Sequence, residues 1–149
     1  MSDVNDGKQY YAIVEDCIKK LGIEAESTRG QKEGQWNLTK GSVKVYIDVM
    51  YIEKEARHYF QVLAPIMQLP VSNRDNLALE LLAINHQLYG AAFTVYNEHV
   101  CLKAIRECEG LDANEAFATI TRIGNYGDYY DDILKQKYPN NRPIGFHAG

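Results

Sequence analysis

Trp36-Asn37-Leu38-Thr39-Lys40-Gly41-Ser42-Val43-Lys44-Val45-Tyr46-Ile47-Asp48-Val49-Met50-Tyr51-Ile52 alternates apolar and polar side chains on both sides of a glycine. Alternation with period two marks strands, and a glycine between two such runs supplies the positive φ of a tight hairpin turn. With Lys40-Gly41 as the loop, Leu38 falls opposite Val43 and Trp36 opposite Val45, while Asn37 meets Lys44 on the other face. The second run carries an unbroken apolar row, Val43, Val45, Ile47, Val49 and Tyr51, and Glu53-Lys54-Glu55-Ala56 is the polar turn that ends it. Folding back across that turn pairs Tyr51 with His58, Val49 with Phe60, Ile47 with Val62 and Val45 with Ala64. The stretch reads as an antiparallel meander with one apolar face.

Outward from this meander the periodicity changes. Tyr10, Ile13, Val14, Cys17, Ile18 and Leu21 recur at helical spacing before Gly22, which predicts a first helix over 6–21 with Cys17 in the core. A weak strand is expected over 23–28. Downstream, Ser72-x-x-Asp75 resembles a capping box opening a helix whose stripe is Leu77, Leu81, Ile84 and Leu88, broadened by Ala78 and Leu82, with Gly90 as its stop. A second hairpin turns at Asn97-Glu98 and sets Val95 across from Val100 and Phe93 across from Leu102. Asp112-x-x-Glu115 caps the last helix, which buries Ala116, Phe117, Ile120 and Ile123. Gly124 and Gly127 cost helix propensity, so close packing or a kink is expected there before Tyr130, Ile133 and Leu134 and a stop at Pro139-Asn140-Asn141. Residues 1–138 read as one domain and 139–149 as a loose C-terminal tail with little to bury beyond Ile144 and Phe146.

The chain has 149 residues, 46% hydrophobic and 24% charged, with 4 prolines, which excludes disordered and collagen-like classes. A net charge of -4, with 16 Lys and Arg scattered without a run, argues against nucleic acid or acidic lipid as a partner. No apolar run reaches the length of a membrane helix, and the polar start lacks the apolar stretch of a signal peptide. Cys17, Cys101 and Cys108 are odd in number and widely spaced, which fits a reducing compartment, so the cytoplasm is expected.

The same register that buries one face of the sheet leaves a second, unusually greasy face. Tyr46, Met50, Ile52, Tyr59, Leu63, Tyr96 and Ile105 point there, interleaved with Lys44, Asp48, Arg57, Gln61 and Lys103. A face open to water carries a more polar set, so a cover is expected. The last helix or the tail could supply it; a second subunit or a partner peptide is the favoured alternative. Other constellations are weaker. Asp128, Asp131 and Asp132 lie at helical spacing, but Asp131 and Lys135 form the i,i+4 pair of a solvated helix, and no calcium loop accompanies them. Tyr126, Tyr129, Tyr130 and Tyr138 read as packing side chains. His58, His86, His99 and His147 share no ligand spacing with one another or with the cysteines, and neither a nucleotide-binding glycine motif nor a nucleophile signature is present. No metal, cofactor or catalytic residue is therefore expected.

Trp36-x-Leu38 before a Gly-Ser hairpin, Phe60-Gln61-Val62-Leu63-Ala64-Pro65 ending near Leu69-Pro70, Leu81-Leu82-Ala83-Ile84-Asn85 running to Tyr89-Gly90-Ala91-Ala92-Phe93, and Gly110-Leu111-Asp112 with a later Tyr130-Asp131-Asp132 occur in order. In these pieces the chain resembles the YbjN family of small bacterial proteins, labelled sensory transduction regulators, over roughly 34–138. The resemblance implies an α+β fold like that of type III secretion chaperones, in which dimers are common. The expected order is α-β-β-β-β-α-β-β-α, an antiparallel sheet packed with helices. The family brings no catalytic residues, and Asn85 matches its second-helix pattern, where a polar amide beside an apolar stripe needs a hydrogen-bond partner.

Together these readings point to a protein-binding module, not an enzyme. It would act as a homodimer and hold a protein segment through the apolar sheet face, by Tyr46, Met50, Tyr59, Leu63, Tyr96 and Ile105, or through a strand edge. The alternative is a small-ligand sensor or enzyme with a cleft between the last helix and the sheet, near Gly124 and the acidic tyrosine cluster.

Overall fold

The computed structural model describes residues 6–139. In chain order its elements are α1 (Lys8–Lys20), α2 (Ala25–Thr28), β1 (Gln35–Lys40), β2 (Val43–Ile52), β3 (Arg57–Gln68), α3 (Arg74–Asn85), β4 (Ala92–Tyr96), β5 (His99–Glu107) and α4 (Ala113–Lys137). The strands form one antiparallel sheet in the order β1-β2-β3-β5-β4. This is the expected α+β class with an antiparallel sheet.

Both long hairpins follow from turn chemistry. Tyr51, Val49 and Ile47 lie opposite His58, Phe60 and Val62, and Val95 and Phe93 lie opposite Val100 and Leu102, as their alternation requires. The second turn holds Asn97 at φ 49° and Glu98 at φ 63°, the paired left-handed geometry of a type I′ loop. The first hairpin differs from expectation by two residues. Its loop is Gly41-Ser42, with Lys40 opposite Val43, so Leu38 meets Val45 and Trp36 meets Ile47. Gly41, at φ 61°, takes the first loop position, where a type II′ turn needs glycine. An even slip keeps every side chain on its face.

One face of the sheet carries the core: Trp36, Leu38, Val45, Ile47, Phe60, Val62, Leu102 and Ala104 are all buried. α4 lies across it, and α1 packs against α4 through Val14, Cys17 and Ile18. The Cys17 thiol donates to the carbonyl of Ala113 at the start of α4, at 3.1 Å, which gives it the expected core role. The Asp112 carboxylate caps α4 by accepting the Glu115 N–H at 2.8 Å.

Three local expectations need correction. Residues 25–28 form one helical turn, and only Arg29 bridges to Trp36; Thr28 closes the turn with its hydroxyl on the Ala25 carbonyl, a bond that outweighs the β preference of the segment. Ser72 does not cap α3. The cap is Asn73 in a left-handed conformation, φ 60°, without a side-chain bond. On α3 only Leu77 and Leu81 are buried, because the helix flanks the sheet margin, and Ala78 and Leu82 face water. Of the two expectations for Gly124 and Gly127, close packing is the one found: α4 runs unbroken, and a Cβ on Gly127 would stand 2.9 Å from Val43 Cγ2. Residues 140–149, which contain most of the expected tail with Ile144, Phe146 and His147, lie outside the described residues.

Candidate functional site

Strand pairing brings the outer-face side chains into rows. Tyr46 sits beside Leu63, which sits beside Lys103; Met50 sits beside Tyr59, which sits beside Glu107; Asp48 sits beside Gln61, which sits beside Ile105. A concavity of about 410 Å³ opens on this face, lined by Tyr46, Met50, Leu63 and Tyr96 together with Gln35, Asp48, Gln61, Thr94, Val95, Lys103 and Lys32. Four of the six residues expected to bind a partner therefore share one hollow, while Tyr59 and Ile105 stand on the same face outside it. Leu63 is 8% exposed and Tyr96 49% exposed, so the hollow has a buried floor and an exposed rim, and Ile105 beside it is 48% exposed. α4 packs through Gly124 and Gly127 on the opposite face, and its Asp131 and Lys135 share a hollow with Lys44 and Tyr46 at the sheet margin.

The charges on this face are few and placed. Asp48 lies mid-sheet, where burial raises its carboxyl above the ordinary range against a hydrogen bond from Gln35. The Tyr59 hydroxyl donates to Glu55 at 3.0 Å, and burial raises its pKa, with the Glu55 carboxylate adding to the effect. Lys32 and Val95 escaped the sequence reading. Lys32 comes from the irregular segment before β1, and Val95 has core-face parity yet is 57% exposed, since β4 is the sheet margin. The signal for Val95 was its position next to the turn.

Both sheet edges are partly closed. The Asn85 carboxamide accepts the Phe93 N–H at 2.6 Å and donates to the Phe93 carbonyl at 3.2 Å, in the manner of a neighbouring strand. At β1 the Gly30 N–H reaches the Gln35 carbonyl at 2.7 Å. Asn85 thus has the backbone partner its position demanded.

The remaining constellations resolve into packing. Ser42 donates its hydroxyl between Asp128 Oδ1 and Asp131 Oδ2, each at 2.8 Å, and Lys135 meets Asp131 at 2.7 Å. The Tyr138 hydroxyl donates to Glu80 at 2.7 Å, and the Tyr126 hydroxyl accepts the Tyr89 N–H at 3.1 Å. Between α4 and the sheet, Gly124 and Gly127 sit close against Lys40, Val43 and Ile66, and beyond them a hollow of about 310 Å³ lined by Ser42, Lys44, Tyr46, Asp131 and Lys135 lies where the alternative cleft was expected. Burial pushes the thiols of Cys101 and Cys108 up to about 11, the opposite of nucleophile activation. Among the described residues no group of three or more His, Cys, Asp and Glu could hold a metal ion. No described helix is long and apolar enough to cross a membrane.

The arrangement has close structural parallels. It is similar to a chain in the ExsC–ExsE complex, with a TM-score of 0.64 and 13% identity over 87% of this chain and 96% of that one. A chain in the HopA1–SchA chaperone–effector complex matches with a TM-score of 0.62 and 10% identity, covering 83% and 93%. The Yersinia pestis type III secretion chaperone SycH, in complex with a fragment of YscM2, gives 0.57 and 13%, covering 79% and 96%. The fold is that of the type III secretion chaperones. No protein-family profile and no curated protein sequence matches the chain.

Proposed function

We propose that this chain is a non-enzymatic protein-binding module, chaperone-like or regulatory, which works in the cytoplasm as a homodimer and holds a protein segment on its outer sheet face or a free strand edge. The observation that carries the reading is the outer face on which Tyr46 with Leu63 and Met50 with Tyr59 form apolar pairs on either side of Asp48 with Gln61. Its likeness to chaperones solved with their partners supports the same reading. Residues 1–138 form its single functional unit, and membership of the YbjN family is part of the proposal, resting on the sequence motifs. Aromatic and aliphatic pairs of this kind, ringed by scattered charges, have the make-up of a contact surface.

Light scattering coupled to size exclusion tests it. The wild-type chain should run at twice 17.0 kDa, and Tyr59→Asp with Leu63→Asp should halve the mass and abolish capture of a client from the native host. Ile105→Asp, at a site 48% exposed, places a charge on the same face without entering the core and should weaken both. Unchanged mass and unchanged capture in folded variants would remove this face as the interface.

A further inference from the structure

At the far end of the sheet, where β2 turns into β3, lies a cleft of about 500 Å³ that the outer-face reading does not use. Tyr10, Tyr51 and His58 line it together with Arg57, Glu107 and Glu109. The Tyr10 ring centroid is 5.7 Å from that of His58 at an interplanar angle of 51°, and Tyr51 is 5.1 Å away at 64°. Rings inclined in this way do not stack face on face, so π surface is left for a third group. His58 is a rigid floor: its side chain is buried, and its carbonyl accepts the Cys108 N–H at 2.9 Å. Tyr51 is 37% exposed, an aromatic wall kept at the surface beside a polar turn.

We propose that this cleft binds an organic cation, an ammonium or quaternary ammonium group. Ring faces carry negative potential and attract a cation within about 6 Å of the centroid. The charges around the rings agree. The Arg57 guanidinium is already balanced, donating from Nη1 to Glu107 at 2.9 Å and from Nε to the Glu55 carbonyl at 3.2 Å, so Glu109 leaves the rim with net negative charge. An anion would meet Glu107 and Glu109 at close range, and a neutral apolar ligand would desolvate them without return. The same chemistry is offered by a free small cation and by a basic side chain of a partner. This inference is independent of the outer sheet face.

The test is an NMR titration of the full chain with choline, with its neutral isostere carrying a tert-butyl group, and with a capped lysine peptide. Choline or the peptide should shift the ring resonances of Tyr10, Tyr51 and His58, and the isostere should bind at least about fivefold more weakly. The tighter of the two cations identifies the source, a free small molecule or a basic side chain. Tyr51→Phe should keep the affinity, whereas Tyr51→Leu, which retains bulk without a π face, should lose about fivefold or more. Tyr10→Leu repeats that comparison on another element if Tyr51→Leu fails to fold, and Glu109→Gln should weaken binding without altering the fold. Equal binding of choline and its isostere, unchanged binding in a folded leucine variant, or no ring shifts with either cation would overturn the proposal.

Discussion

Three hydrogen bonds converge on the carboxylate of Glu15. It accepts two bonds from Arg29, both at 2.8 Å, and one from Trp36 Nε1 at 2.9 Å, joining α1 to the start of the sheet. The Arg29 bonds, with that of Trp36, hold its carboxyl at about 2, against an ordinary value of 4.5. A depressed carboxyl stabilises the fold above its ordinary range, and that contribution disappears as pH falls from about 4.5 through about 2. Glu15→Gln should therefore cost about 1 kcal/mol at neutral pH. Urea melts at neutral pH and at about pH 2 check this, because the difference between variant and wild type should shrink in acid. Asp48 has the opposite environment. Burial raises its carboxyl against the Gln35 hydrogen bond, so the outer face holds this partly buried acid at a desolvation cost.

Elements show where local pattern ends and packing begins. An alanine inside a helix normally gains about 1 kcal/mol over glycine. At Gly127 the added methyl would press on buried Val43, a stiff β-branched neighbour, so Gly127→Ala should instead lose about 1–2 kcal/mol. Gly124→Ala meets the Lys40 side chain, which can swing aside in part, and should cost less. Thermal melts of the two variants give the ranking directly. At the β4 edge, Asn85→Leu removes both bonds to Phe93 and should cost about 1–3 kcal/mol, since a partly buried N–H and carbonyl lose their partner. The same variant should associate through the uncovered edge, which sedimentation velocity detects as mass beyond the wild type.

The hairpins were legible because two signals agreed: period-two alternation and a turn residue with the required φ. Phe93 opposite Leu102 and Val49 opposite Phe60 could be written down from the chain alone. Lys40-Gly41 and Gly41-Ser42 were nearly equivalent as loops, and the hydrophobic pattern cannot separate them because both keep Leu38 inward. The outer-face set was legible for the same reason, as parity places Tyr46, Met50, Tyr59 and Leu63 together. The grouping of Tyr96 with them was only partly legible. It depends on β3 pairing with β5, a contact between strands distant in sequence for which no local signal exists. The Asn85 bonds to Phe93 were foreseen in kind, but their partner was set by the placement of α3.

Across the whole molecule, stability is unevenly spread. α4 buries residues along its full length, from Ala116 to Leu134, whereas α3 buries two, Leu77 and Leu81. Native-state hydrogen exchange should show α3 opening at a lower free energy than α4 and the central strands β3 and β5. Equal protection of α3 and α4 would contradict this picture.

The strand order has a further meaning for biosynthesis. β5 inserts between β3 and β4, and α1 rests on α4, so the first and last described helices meet in one core. While the nascent chain emerges from the ribosome, the meander of β1, β2 and β3 waits with an open margin on β3 and an unroofed apolar side. Only when residues 99–137 have been synthesised can that margin be zipped and the roof laid, so this protein itself passes through a stage in which it has need of shelter.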